Sequence, residues 1–367
     1  MERTVILNKS RVLEILNRLS AFEDIKSLKI EIRRLEENVS SPKKDSMGIL
    51  NIDENGDTVK VSQSYLSHQL QQIEKSKTFE RSHYYLNQLK KGIKEKKTNK
   101  INDINLNRWG EYDHILTDSL WVLDKRDSSG VHSAWYWGNF IPQIPRQMLL
   151  RFTKAGEWVL DPFVGSGTTL IECQRLGRNG IGIELQPEIA RRAKELLQKD
   201  KNGNEPFVTS EKLDTRTQIE VGDSTEFDFR ELLKKNELKS VQLLIMHPPY
   251  HDIIKFSQNP KDLCNVKSIE EFVKLFGKVV DNTYPILDKG RYLVLVIGDK
   301  YSRGNWVPLG FMLMNEVLKR GYSLKSTIVK NFEETTGKRN QKELWRYRAL
   351  VGGFYIFKHE YIFLFKK

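Results

Sequence analysis

The stretch that most restricts the fold is Trp158 to Leu185, WVLDPFVGSGTTLIECQRLGRNGIGIEL. Trp158, Val159 and Leu160 read as a buried strand that stops at Asp161-Pro162. A tight loop holding Gly165 and Gly167 follows, and Thr168-Thr169 opens a predicted helix reaching about Leu176, where Gly177 ends it. Gly180 to Glu184 reads as a second strand ending in an acid. Such a strand–loop–helix–strand unit belongs to an open α/β sheet, whose ligands bind beyond the carboxyl ends of the strands. Paired glycines let the backbone approach a ligand, and the helix start offers unpaired N–H groups. Glu184 is placed to accept hydrogen bonds from both hydroxyls of a ribose, so a nucleoside-bearing cofactor is implied. No lysine follows Gly167, which excludes the loop of the nucleotide triphosphatases, and Leu170 stands where the dinucleotide fingerprint has its third glycine.

Composition narrows the partners. The 367 residues leave room for two or three domains, and 39% hydrophobic with 29% charged residues excludes wholesale disorder. A net charge of +12 favours polyanions, nucleic acid first and an anionic membrane second. No apolar run reaches membrane-spanning length, and MERTVILNKS lacks the apolar core of a signal peptide, so no membrane association is expected. Cys173 and Cys264 are far apart and the histidines form no HExxH pattern; no metal and no disulfide are expected, and the cytoplasm is the simplest home.

Residues 1 to about 40 read as helix, then a polar break follows at Ser40 to Asp45 and a turn at Asn55-Gly56. A helical run from Val61 to Lys96 leads into Lys90, Lys91, Lys94, Lys96, Lys97 and Lys100, either a solvated face or a phosphate contact. A boundary at 97–107 gives a helical N-terminal region, 1–107, which packs on itself, dimerises, holds a partner subunit or touches DNA. The remainder, 108–367, begins with dense aromatics (Trp109, Trp121, Trp135, Tyr136, Trp137) and a helix at about 146–153. Beyond Glu184, a helix at 187–198, a polar loop at 200–215 and a strand over 219–224 precede strands at 241–246 and 291–297. A helix at 306–319 and a closing pair near 322–330 and 354–366 complete the alternating α/β pattern.

DPFVGSGTT followed by GRNGIGIEL resembles the cofactor loop of the S-adenosylmethionine-dependent DNA amino-methyltransferases, which modify adenine N6 or cytosine N4. Val241 to Tyr250, VQLLIMHPPY, is similar to that family's Asp/Asn/Ser-Pro-Pro-Tyr motif, and HEYIFLFKK resembles its last strand. The resemblance covers roughly 108–367. It implies a Rossmann-like methyltransferase sheet, which the helical reading of residues 1–107 supplements with an α-helical N-terminal region, and it implies S-adenosylmethionine as cofactor and DNA as partner. Carried over residue by residue, it assigns Asn139 and Phe140 to cover the methionine part of the cofactor and Asp223 to hold its adenine amino group. Asp161, Phe163, Gly165, Gly167, Thr168, Glu184 and Ser224 complete the implied cofactor set. His247, Pro248, Pro249 and Tyr250 form the implied catalytic corner.

The chemistry of that corner is positional. An exocyclic amine is a poor nucleophile because its lone pair is conjugated into the ring; two acceptors taking its N–H bonds aim that lone pair at a methyl group. The Pro248 carbonyl can be one acceptor, and Tyr250 can stack on a base flipped from the duplex or presented single-stranded. His247 departs from the family pattern. Neutral imidazole accepts through one nitrogen and imidazolium through none, so methyl transfer is expected to fall as pH drops through about 6.5, unless the chain is an inactive relative. His251 is either a surface residue or a contact to the target strand. Target recognition is expected from residues 1–107, 251–268 and 300–347. The last holds Lys338, Arg339, Lys342 and Arg346, which suit nucleic acid or merely link two strands. The competing readings are a DNA methyltransferase tied to restriction or epigenetic marking, an RNA base methyltransferase, and a non-catalytic nucleic-acid-binding subunit.

Overall fold

Alternation at the N-terminus makes a strand where helix was expected. Val5 and Leu7 are buried while Thr4 is exposed, so β1 (Thr4–Asn8) has the period of a sheet and pairs antiparallel with β2 (Thr58–Ser62). The computed structural model describes residues 3–40, 45–50, 56–133, 135–203, 214–302, 304–331 and 342–367. They form two units, Met1–Lys100 with Ile104–His114, and Ile101–Asp103 with Ile115–Lys367.

In the first unit, side-chain caps turn strands into helices. Asn8 accepts from the Arg11 N–H at 3.1 Å to start α1 (Lys9–Ser20), which α2 (Ile25–Ser40) follows. Ser62 accepts from Tyr65 N to open α3 (Gln63–Lys75), and Thr78 from Arg81 N to open α4 (Phe79–Lys94). The helix expected unbroken from Val61 is therefore two helices behind a strand, because Thr78 caps a new start. Leu16, Leu19, Leu28, Ile32, Leu70, Ile73 and Leu86 close a core drawn wholly from this unit. Lys91, Lys94, Lys96, Lys97 and Lys100 are exposed.

The second unit runs β3 (Leu120–Trp121), α5 (Gln143–Phe152), β4 (Trp158–Asp161), α6 (Thr168–Arg175), β5 (Asn179–Glu184), α7 (Pro187–Gly203) and β6 (Thr217–Val221). It continues with α8 (Phe229–Lys235), β7 (Val241–Met246), α9 (Ile269–Thr283), β8 (Leu287–Ile297), β9 (Lys300–Ser302) and β10 (Asn305–Val307). It ends with α10 (Leu309–Leu318), β11 (Ser323–Asn331), α11 (Lys342–Gly352) and β12 (His359–Lys366). The helix expected from 306 starts later because Asn305 to Val307 pair with Lys300 to Ser302. Helices α8 and α9 were not anticipated.

Eight strands form one sheet in the order β3-β11-β12-β8-β7-β4-β5-β6. Neighbours are parallel except around β12, which runs against both β8 and β11. The central strands read as unbroken apolar runs because both faces are covered. Leu293, Leu295 and Ile297 face the helices α9 and α10, while Val294 and Val296 face α5. Strand order reverses between β4 and β7: β5 and β6 lie to one side, β8 to the other. A crevice opens at such a switch point, beyond the carboxyl ends of the strands.

Candidate active site

The glycines of β5 set the glycine loop in place. A Cβ on Gly182 would lie 2.5 Å from Val164 Cγ2, and one on Gly180 2.5 Å from Leu170 Cδ2, so the bare strand admits the loop and α6. Asp161 is fully buried; its Oδ1 accepts from Phe163 N at 2.9 Å and its Oδ2 from the Thr169 hydroxyl at 2.6 Å. Burial pushes its pKa up to about 6. Asp161 thus shapes the loop from beneath, and Phe163 is half-buried against the core. Gly165 and Gly167 have φ of +49° and +84°, and Gly167 precedes α6 without a side-chain cap, leaving the helix start open to a ligand. Thr168 is buried, with its hydroxyl 3.1 Å from Ser166 Oγ.

Glu184 clasps the loop. Its Oε2 accepts from Gly165 N at 3.1 Å and its Oε1 from Gln186 N at 2.9 Å. Burial lifts its pKa to about 7, and the charges of Asp262 and Asp161 push the same way. Strand β6 ends at Val221, so Asp223 sits in the turn beyond it, with Oδ1 accepting from Thr225 N at 2.9 Å. Ser224 is buried and donates to the Pro162 carbonyl at 2.7 Å, tying that turn to the glycine loop.

The segment before α5 bridges this loop to the diproline corner. Asn139 Nδ2 donates to Ser166 Oγ at 3.1 Å, and the adjacent Phe140 ring lies 4.9 Å from the His247 ring. Tyr136, stacked on Phe256 at 5.5 Å, covers Gly165, and burial raises its pKa. Arg126 donates to the Phe140 carbonyl at 3.0 Å, while its buried Nε and Nη2 have no partner among the described residues. A buried charge cluster anchors the segment: Glu172 accepts from or pairs with His132 at 2.7 Å and Arg146 at 3.4 Å. Arg175 pairs with Asp200 at 2.8 Å and reaches the Ser129 hydroxyl at 3.1 Å. Sequence reasoning placed Tyr136 only among the aromatics ahead of the loop, and missed Phe256, Arg126 and this cluster. The signal available for the cluster was the pair of opposite charges, Glu172 and Arg175, in the otherwise uncharged helix TTLIECQR.

Strands β4 and β7 are neighbours, with Leu160 opposite Leu244, so His247 to Tyr250 emerge beside the glycine loop. His247 Nε2 lies 3.2 Å from Tyr250 Oη, which donates to Glu360 Oε2 at 2.9 Å; Lys330 Nζ donates to Glu360 Oε1 at 2.9 Å. Tyr250 is half-buried, with its ring against Gly298, where a Cβ would lie 2.9 Å from Cε2. Burial drives the His247 pKa down to about 4. The acid loss expected near about 6.5 is therefore displaced well below neutrality, because an imidazolium here would be stripped of water.

His251 is neither a surface residue nor a free contact. It is buried at φ +53°, with Nδ1 2.8 Å from Lys300 Nζ and Nε2 3.0 Å from the Val266 carbonyl; Lys300 also pairs with Asp252. Of the basic residues assigned to nucleic acid, Lys338 and Arg339 lie outside the described residues, Lys342 begins α11, and Arg346 is exposed on it. Among the described residues no cluster of His, Cys, Asp or Glu could hold a metal ion.

An eight-stranded Rossmann-like sheet with a reversed strand beside β8, a glycine loop at the switch point and a diproline corner next to it defines the methyltransferase class of α/β folds. Residues 38–195 and 241–367 match the DNA methylase family of N6/N4 methyltransferases, and the chain belongs to that family. It is 47% identical over 58 residues to the type II methyltransferase M.MjaII of Methanocaldococcus jannaschii, covering 16% of this chain and 11% of that one. It is 34% identical over 110 residues to M2.DpnII of Streptococcus pneumoniae, covering 28% and 41%. These alignments span well under two thirds of the relatives' lengths. The crystal structure of TrmN from Thermus thermophilus aligns with a TM-score of 0.39 and 17% identity, over 63% of this chain and 50% of that one.

Proposed function

We propose that this chain transfers a methyl group from S-adenosylmethionine to an exocyclic amine of a DNA base, adenine N6 or cytosine N4, turned out of the duplex. The observation that carries this reading is the dipeptide Asn139-Phe140. Asn139 touches Ser166 in the glycine loop at 3.1 Å and Phe140 touches His247 at 4.9 Å, so a cofactor on one side and a base on the other face each other.

The residues present fit the cofactor. The uncapped start of α6 and the left-handed glycines form a cradle, and Glu184 suits a ribose diol. Asp223 suits an amino group, and the unpartnered Nε and Nη2 of Arg126 suit a carboxylate. Bound there, S-adenosylmethionine supplies an electrophilic methyl group on a sulfonium. The chain supplies position. Pro248 and Pro249 fix the backbone so that the Pro248 carbonyl accepts one amine N–H, and neutral His247 accepts the other. The amine lone pair is thereby turned out of conjugation and held in line. The net charge of +12 and the exposed Arg346 support a polyanionic substrate, with Lys338, Arg339 and Lys342 assigned to the same contact.

Incubating the full chain with methyl-labelled S-adenosylmethionine and unmethylated genomic DNA or total RNA tests this reading. Label in DNA is expected, and modified-base sequencing then names the base. Label confined to RNA, or cofactor binding without transfer, overturns it.

A further inference from the structure

We infer that Lys330, Glu360 and Tyr250 form a hydrogen-bond relay that fixes the tautomer of His247, leaving its Nδ1 lone pair as the acceptor for the target amine. The identity of that guest rests on the methyl-transfer reading above; the relay itself does not.

The direction of each bond follows from what each group can give. Lys330 and Glu360 are opposite one another in the β11–β12 register, both buried, with Nζ 2.9 Å from Oε1. An ammonium only donates, so Glu360 stands as its carboxylate counter-ion and only accepts. Tyr250 has one hydroxyl proton and gives it to Glu360 Oε2 at 2.9 Å. The 3.2 Å contact between Tyr250 Oη and His247 Nε2 must then run the other way, with Nε2–H donating. In a neutral ring that leaves Nδ1 bare, and Nδ1 has no hydrogen-bond partner among the described residues. Tyr250 is accordingly a positioning residue through its hydroxyl, whatever its ring does to a base. The relay exists because β12 is reversed: its first residues lie at the carboxyl edge, where Tyr361 pairs with Ile297 of β8, two strands from the corner.

Glu360→Gln makes the proposal testable. Lys330 still demands an acceptor, so the amide oxygen turns to it and the amide N–H faces Tyr250. The hydroxyl must then donate to His247 Nε2, which sends the ring proton to Nδ1 and removes the acceptor. The full chain labelled with 15N-histidine is read by NMR, with the His247 signals assigned by their absence in His247→Asn. The relay expects protonated Nε2 and bare Nδ1 in the wild type, and the reverse in Glu360→Gln. In labelled-methyl assays on DNA, Glu360→Gln is expected to lose kcat by about 100-fold, the scale of one misplaced hydrogen-bonding group at a reacting centre. S-adenosylhomocysteine affinity should stay within about twofold, since the relay does not touch the glycine loop. Adding Tyr250→Phe to Glu360→Gln removes the reversing hydroxyl and should recover at least about tenfold of that loss. A purely structural role gives no recovery from a second core substitution.

A wild-type His247 protonated on Nδ1 overturns the relay, and this measurement needs no variant to fold. An unchanged tautomer in Glu360→Gln, or no recovery in the double variant, overturns it as well. If the chain methylates nothing while NMR shows the expected tautomers, the relay stands and the methyl-transfer reading fails.

Discussion

Glu184 gives the sharpest test of the cofactor pocket because its charge state lies within easy reach. In the free protein burial holds its carboxyl up to about 7, so near neutrality a large fraction is protonated. A carboxyl in that state accepts poorly from the ribose hydroxyls assigned to it. Ligand binding favours the carboxylate, lowers the pKa and releases a proton. The sign follows: affinity rises with pH up to about 7 and is flat above it. At about pH 6 only about a tenth of the protein carries the carboxylate, so S-adenosylhomocysteine should bind about tenfold more weakly than at about pH 8.

Glu184→Gln removes the charge and mismatches one backbone N–H, since the side chain faces both Gly165 N and Gln186 N. Two hydroxyl bonds each losing about 1 kcal/mol of charge assistance give about 2 kcal/mol, or about 30-fold, at about pH 8. At about pH 6 the gap should shrink to roughly threefold, because the wild type has itself become neutral. Asp161, at about 6, titrates lower and touches the loop rather than the ligand, so any residue of pH dependence in the variant belongs to it. Isothermal titration calorimetry across about pH 5.5 to 8.5, in buffers of different ionisation enthalpy, reads both affinity and proton release. A wild-type Kd independent of pH, or a Glu184→Gln variant with the same slope, would refute the assignment of Glu184 to the ligand.

Three further outcomes follow from the packing. Gly182→Val drives methyl groups into Val164, already 2.5 Å from the position of a single Cβ; a loss of about 1–3 kcal/mol in urea unfolding and weaker S-adenosylhomocysteine binding are expected, and unchanged values of both would contradict the close approach. Glu172→Ala strips the counter-charge from buried Arg175 and the hydrogen-bond partner from buried His132, and should cost about 3–5 kcal/mol, read as a lowered Tm; a near-neutral result would mean the cluster is not an anchor. With cofactor saturating, DNA methylation should hold level on acidification until the pH nears the His247 pKa of about 4, since the depressed pKa keeps the imidazole neutral above that value. A decline centred on about 6.5 would mean the ring is solvated during the reaction.

Much of this pocket was legible as a string of residues. The run from Trp158 to Glu184 carries its own strand, loop, helix and strand, because each contact it needs is local or one strand away. Short strands such as Thr4–Asn8 were not legible, since a five-residue alternation is outvoted by the helical pattern after it and its partner lies over fifty residues on. The pKa expected for His247 differs from the one its surroundings give for another reason. Sequence names the ring, but only the packing of Phe140, Tyr250 and the neighbouring strands decides how much water reaches it. Lys330 and Glu360 left a faint trace, charges embedded in STIVKN and EYIFLF, whose meaning depends on which strands lie side by side.

The imidazole in the corner and the ion pair at the start of β12 are consequences of one another. An Asp, Asn or Ser oxygen accepts a hydrogen bond in any orientation its rotamer allows. An imidazole accepts at only one of two nitrogens, and which one is decided by the bond made at the other. A histidine at this position therefore works only if something donor-poor is held against Nε2, and a tyrosine hydroxyl already committed to a carboxylate meets that need. The carboxylate must in turn stay ionised in a buried place, which Lys330 at 2.9 Å provides. Replacing His247 by Asn should accordingly release the pair from its duty: in that background Glu360→Gln should leave the methyl-transfer rate within about threefold, because the amide oxygen needs no tautomer to be chosen for it.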